Sequence, residues 1–185
     1  MYQDTENPWQ TFAREVGGKY RLSEEGTSEV TGTYGKYPFL LKIIFIQAAP
    51  KVNLFLTHLE ITLDNKIGLK MKIYREGIIQ KLTKLFGTQD IIFNDRAFDK
   101  KYIIEGSNEA QVKWLISPDI RARIIELGEM LMILDGNILS YEQHGKIIDS
   151  KKLFLILELL AELAEKIESP AINQVNLLRQ IGSHI

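Results

Sequence analysis

Along this chain the spacing of apolar positions changes near the middle. Between Glu29 and Tyr74 they recur mostly at every second residue, and from Ile78 onward at every third or fourth. The first spacing belongs to strands and the second to helices. A short helix precedes the strands, with Trp9, Phe12, Ala13 and Val16 on one face. Asn7 suits its N-cap, Pro8 its first position, and Gly17-Gly18 its end. Lys19 to Thr31 is polar and without period, so it reads as a loop running into a first strand at Glu29–Tyr34. Phe39–Ala48 has few polar positions and is expected to be covered on both faces. In Leu54–Leu63, Phe55, Thr57, Leu59, Ile61 and Leu63 share one face. His58, Glu60 and Thr62 share the other, which Leu54 and Leu56 make partly apolar. Leu69–Tyr74 alternates most clearly, with Leu69, Met71 and Ile73 inward and Lys70 and Lys72 outward. Asp64-Asn65-Lys66 is turn chemistry. Connections this short exclude parallel pairing, and the expected sheet is an antiparallel meander of about four strands.

The second half reads as helices with short strands between them. Ile78, Ile79, Leu82, Leu85 and Phe86 fit a helix that Gly87 ends. Tyr102–Glu105 is a strand closed by Gly106, and Ser107 or Asn108 caps a helix through Val112, Trp114 and Leu115. Ser117-Pro118-Asp119 starts another, extended by Ile120, Ile124, Leu127, Leu131 and Leu134. After a turn at Asp135-Gly136, Ile138–Tyr141 and Lys146–Ile148 are expected to pair around His144-Gly145. Asp149 or Ser150 caps the longest helix, whose stripe is Leu153, Ile156, Leu157, Leu160, Leu163, Ala164 and Ile167. Ser169-Pro170 stops it, and Asn173–Ile181 forms a weaker last helix. Strands first and helices later give an α+β fold, with helices on one face of an antiparallel sheet and a long C-terminal helix. The chain reads as one domain over 1–185. It comprises a helix and loop to residue 28, the meander over 29–74, mixed elements over 75–168 and a tail over 169–185.

Composition narrows the function classes. The 185 residues are 45% hydrophobic and 25% charged, an ordinary globular mixture. A net charge of -1 and the lack of a basic stripe argue against a nucleic-acid partner. With no cysteine there is no disulfide, thiolate zinc site, iron–sulfur cluster or cysteine nucleophile. The acidic, polar start Met1–Glu6 is unlike a signal peptide, and no apolar run approaches the roughly 20 residues of a membrane span. A soluble, cytoplasmic protein without membrane association is the expectation.

Candidate chemistry is sparse. His58 and Glu60 lie two apart on one strand face, the spacing of an acid–base pair or a weak metal site; a solvated strand face accounts for them more simply. Asp90, Asp95 and Asp99 gather in one acidic segment, yet without the alternation and glycine of a calcium loop. There, Asp95 is expected to cap a helical turn, Phe98 to enter the core and Asp99 to hold backbone amides. No metal and no cofactor is expected. Gly32-Thr33-Tyr34-Gly35-Lys36 lacks phosphate-loop spacing, and Tyr34, Tyr37 and Phe39 form an aromatic turn that serves either contact or core.

Phe98-Asp99-Lys100-Lys101-Tyr102-Ile103-Ile104-Glu105, with Ala110 and Leu115-Ile116-Ser117-Pro118, resembles a Phe-Asp/Glu-x-x-Phe/Tyr strand followed by a Leu-x-Ser/Thr-Pro helix start. That combination occurs in a bacterial and archaeal protein family of unknown function. The resemblance runs from about Gly32 through Thr57–Ile61 to the end of the long helix. It implies a fold and no catalytic residues; some relatives carry an N-terminal hydrophobic anchor, which is not expected here.

Two functional readings follow. The first is a non-catalytic binding or scaffold domain that engages a protein partner or a second copy as a homodimer, using surplus apolar surface on the last helices. The alternative is a small-molecule site between the sheet and the long helix, lined by Phe55, Met71, Trp114 and Met132 and binding an apolar ligand. A hydrolytic enzyme ranks below both, and its titratable groups would have to come from His58, Glu60, Asp90, Asp95 and Asp99.

Overall fold

The computed structural model describes residues 7–22, 27–49, 52–75 and 90–175. Helix α1 (Pro8–Glu15) leads into strands β1 (Lys19–Leu22), β2 (Ser28–Tyr34), β3 (Tyr37–Ala49), β4 (Val52–Thr62) and β5 (Met71–Arg75). Then come α2 (Arg96–Asp99), β6 (Tyr102–Gly106), α3 (Glu109–Leu115), α4 (Pro118–Leu127), β7 (Leu131–Asp135), β8 (Ile138–His144) and α5 (Ser150–Glu168). The eight strands form one antiparallel sheet in the order β1-β2-β3-β4-β8-β7-β5-β6. This is the expected α+β fold with its long C-terminal helix.

Local signals set most helix ends. Asn7 Oδ1 accepts from the Trp9 amide at 3.0 Å, Asn108 caps α3, and Asp149 Oδ1 accepts from the amides of Lys151 and Lys152. The stripe of α5 is buried against β4 and β8, and α1, α3 and α4 pack against α5 in turn. Trp9 of α1 is buried, and its indole Nε1 donates to the Ile147 carbonyl at 2.8 Å. The last helix therefore covers its own sheet, and the apolar stripe read from the sequence is core.

Several expectations need correction. Lys19–Leu22 is an edge strand rather than a loop. Exposed Lys19 and Arg21 protect that edge and hide its period. The four-strand meander exists as β1–β4, but β5 lies beyond the β7–β8 hairpin, which enters between β4 and β5. The Asp64-Asn65-Lys66 turn makes that crossover: Asn65 Nδ2 donates to the carbonyls of Leu69 and Gly136, tying it to the tip of the hairpin. Helix α4 stops at Gly128, whose φ of +80° ends the helical path. Leu131 and Leu134 belong to β7, a central strand apolar enough to imitate a helical period.

The later hairpin turns at Gly136-Asn137, not at His144-Gly145, because Asp135 pairs with Ile138. Ser117 makes no side-chain cap bond; its Oγ accepts from Lys166 Nζ at 3.3 Å. Lys72, expected outward, is 1% exposed. The helix expected over Ile78–Phe86 lies outside the described residues. Of the expected last helix over Asn173–Ile181, residues 173–175 are helical and the remainder is likewise outside them.

Candidate functional site

Alternation along the strands sorts the sheet into a face under α1 and α5 and a second face on which no described helix packs. One register row crosses that second face through Arg21, Glu29, Lys42, His58 and Glu142 on β1, β2, β3, β4 and β8. Arg21 Nε donates to Glu29 Oε1 at 2.8 Å. Further along the row, His58 is 7% exposed and lies between two carboxylates. Its Nδ1 is 3.0 Å from Glu142 Oε1 and its Nε2 is 2.7 Å from Glu60 Oε2. Burial opposes the imidazolium, but the hydrogen bonds to Glu142 and Glu60 outweigh it and raise the His58 pKa above its ordinary 6.5.

The sequence placed Glu60 beside His58 and read a solvated face. Glu142 was missed because it lies 84 residues away and arrives on the inserted hairpin. Both ring nitrogens are thereby within hydrogen-bond reach of a carboxylate, and the cluster clamps β4 to β8. Among the described residues no group of three or more histidine and acidic side chains is arranged to hold a metal.

A second buried polar group lies further across the same face. Lys72 on β5 stands opposite Glu105 on β6. Its ammonium nevertheless sits over the Tyr74 ring, 4.9 Å from the centroid. Tyr74 Oη donates to Glu105 Oε1 at 2.9 Å, and its pKa is pushed up to about 12 by burial first and by Glu105 second.

The acidic segment does what the sequence suggested. Asp95 Oδ1 accepts from the Phe98 amide at 3.2 Å, and its Oδ2 accepts from Arg121 Nε at 2.9 Å. Asp99 accepts from the amides of Phe93 and Asp95, both at 3.0 Å, and Phe98 is fully buried. Asp90 is exposed and bridges to Glu105 through the backbone. The three aspartates do not converge on one point.

The four residues expected to line an apolar cavity separate. Met71 and Met132 are core residues on β5 and β7, whereas Trp114 on α3 and Phe55 on β4 reach the surface. A groove of about 350 Å³ runs along α5, lined by Tyr34, Arg123, Leu155, Glu158, Glu162 and Glu165, and includes none of the four.

Phe55 belongs to a more distinctive feature. The β2 ladder ends near Lys42 and the β8 ladder at Thr57, yet β3 and β4 continue to pair. β4 remains bonded as far as Phe55, whose carbonyl accepts from the Gly145 amide at 2.9 Å, and from there residues 45–49 and 52–55 continue as a two-stranded arm. Phe45 and Phe55 stand opposite each other there, 56% and 47% exposed, and Leu54 is partly exposed on the opposite side of the ribbon. The expectation that both faces of this strand are covered fails at Phe45, which is open to solvent. Continuous apolar sequence in a strand cannot by itself distinguish burial between layers from exposure on a projection.

No protein-family model matches the chain, and no curated protein does. Among solved structures, the mycobacterial trehalose monomycolate transport factor A, TtfA, is similar with a TM-score of 0.60 at 9% sequence identity. The match covers 88% of this chain and 93% of that one. At that identity the likeness is one of fold. No helix among the described residues is long and apolar enough to cross a membrane.

Proposed function

We propose that this protein is a non-catalytic binding domain that engages a protein partner through the β3–β4 arm. The observation that carries the reading is the Phe45–Phe55 pair, two aromatic side chains opposite each other and open to solvent. Aromatic anchors supply much of the binding energy at protein interfaces. An enzyme would need titratable groups free to act, and the candidates are engaged otherwise. His58 is held at both nitrogens, and Asp95 and Asp99 hold backbone amides. The structural neighbour is named a transport factor, and a binding role accords with that name. A cytoplasmic setting suits a chain without cysteine. The alternative, an apolar ligand held between sheet and α5, has less behind it, since two of its four lining residues are core and two are on the surface.

A photo-crosslinking side chain placed at Phe55 in living cells tests the proposal, with the same probe at Glu165 on α5 as control. A discrete protein adduct from position 55 and none from 165 is the expected result. No adduct at 55, or the same adducts from both, would defeat it.

A further inference from the structure

The arm begins where β8 ends, and a short series of bonds joins the two there. The Gly145 amide donates to the Phe55 carbonyl at 2.9 Å, and the Thr57 amide donates to the Gly145 carbonyl at 3.0 Å. Thr57 Oγ1 donates to that same carbonyl at 2.7 Å and accepts from the Ile147 amide at 2.9 Å. One residue further into the sheet, His58 and Glu142 make the next contact between β4 and β8. The root of the arm therefore hangs on backbone bonds that adjoin the histidine cluster.

That cluster has more acceptors than a neutral ring can serve. Glu142 and Glu60 each face one ring nitrogen, whereas a neutral imidazole carries a single N–H. Two other titratable side chains of the described strands share this part of the face. Lys42 stands opposite His58 on β3, and exposed His144 lies two residues beyond Glu142 on β8. Neither is an acceptor for the ring in the structure. When the imidazolium loses a proton, the remaining one stays toward Glu60, at the shorter contact of 2.7 Å. Glu60 is fixed two residues away on the same strand, so it remains within reach however the strands move. Glu142 then faces a ring lone pair, and the contact across the two strands turns repulsive.

We propose that His58 is a proton-operated catch at the root of the arm: the imidazolium holds the end of β8 against β4, and the neutral ring releases it together with the bond to Phe55. Its use in controlling a partner rests on the arm being the docking surface; the catch itself does not. Closed, it presents Phe45 and Phe55 in one orientation, and a partner meets a preorganised surface. Open, it leaves the Phe55 carbonyl and the Gly145 amide to water, and binding must reorder the root. The arm thus binds more tightly at the lower pH. The raised pKa of His58 sets the release above 6.5.

Amide hydrogen exchange on the intact chain tests the catch without any partner. Protection of the Gly145 and Thr57 amides is followed across roughly pH 5.5 to 8.5, corrected for intrinsic exchange and referred to amides of the β2–β3 ladder. As the His58 ring titrates, both should lose at least about tenfold in protection relative to that reference, the effect of one hydrogen bond on a local opening. Glu142→Gln should remove this pH dependence, because its amide accepts from a protonated Nδ1 and donates to a bare one. His144→Asn should leave the dependence intact. Protection that stays level through the titration of the unmodified chain, or that still changes in Glu142→Gln, would overturn the catch. Loss of the dependence in His144→Asn would overturn it too, by assigning the switch to the other histidine. If position 55 gives its adduct while protection stays level, the docking surface stands and the catch falls. If protection switches and no adduct forms, the catch stands and the docking surface falls.

Discussion

His58 of β4 and Glu142 of β8 face each other directly across the sheet, with Nδ1 and Oε1 3.0 Å apart. Glu60 takes the other ring nitrogen at 2.7 Å. An ionised carboxylate can only accept, so both contacts are satisfied together only when both nitrogens carry protons. Lys42, the register partner of His58 on β3, adds a positive charge on the far side but no acceptor. The geometry thus favours the imidazolium over the neutral ring, in the direction of the raised His58 pKa.

Stability should consequently fall as pH rises through the neutral range. The folded-state pKa of His58 lies above its ordinary 6.5, so the cluster contributes fully below 6.5 and loses that contribution as pH climbs through the raised value. Urea unfolding measured at a series of pH values should show this decline, and His58→Asn should remove the His58 part of it. In a proton NMR titration, Glu142→Gln should lower the imidazole pKa by removing one of the two carboxylates that offset its burial. An unchanged titration midpoint in that variant would contradict the geometry.

Asp99 should matter to folding well beyond its place in an exposed segment. It accepts from the amides of Phe93 and Asp95, and Asn94 between them holds a φ of +59°. Asp99→Ala leaves two amides without their acceptor and should destabilise by about 1–3 kcal/mol in urea unfolding. Asp99→Asn retains one carbonyl oxygen and should fall between the two.

This loop was legible in the sequence, and the histidine cluster was not, for one physical reason. Asp95 caps Phe98, and Asp99 reaches back to Asp95 and Phe93, all within six residues, where spacing alone fixes who meets whom. Glu142 meets His58 only because β8 is inserted beside β4. Nothing in the Asp64-Asn65-Lys66 turn announces that crossover, which depends on Asn65 bonding the distant Gly136 carbonyl. The same insertion moved β5 toward the far edge, where Lys72 lies opposite Glu105 and is buried despite its outward place in the alternation. Likewise, the isoleucine-rich run after Lys42 looked like a buried strand. The exposure of Phe45, set by how far the layers over β3 extend, is something that sequence spacing does not fix.

Gly32 is a position where a single methyl group should be felt. It pairs with Phe39 across β2 and β3, and a Cβ there would lie 2.7 Å from the buried Phe39 ring and 3.1 Å from the Gly18 Cα. Its backbone is not in the left-handed region, so the effect is purely one of space. Gly32→Ala should destabilise by about 1–3 kcal/mol, the usual consequence of overpacking. The paired variant Gly32→Ala/Phe39→Leu, which shrinks the ring that the methyl meets, should cost less than the sum of the two single changes.

Trp9 offers the sharpest probe of how the two ends of the described chain are joined. Its indole is fully buried, donates to the Ile147 carbonyl, and has Lys146 Nζ 5.2 Å from its ring centroid. Those two partners sit in the connection between β8 and α5, so α1 is anchored to the far end of the sequence as well as to β1 and β2. Trp9→Phe keeps most of the apolar volume but leaves the Ile147 carbonyl unpaired, which should destabilise by about 1–3 kcal/mol. Trp9→Ala also opens a cavity and should reach about 3–5 kcal/mol. The other tryptophan, Trp114, is partly exposed, so its replacement in Trp114→Phe leaves a single buried fluorophore. That variant should emit at short wavelength and resist acrylamide quenching until global unfolding. Quenching of Trp9 well before the loss of far-ultraviolet dichroism would mean that α1 detaches separately, and that the Ile147 bond does not hold it to the sheet.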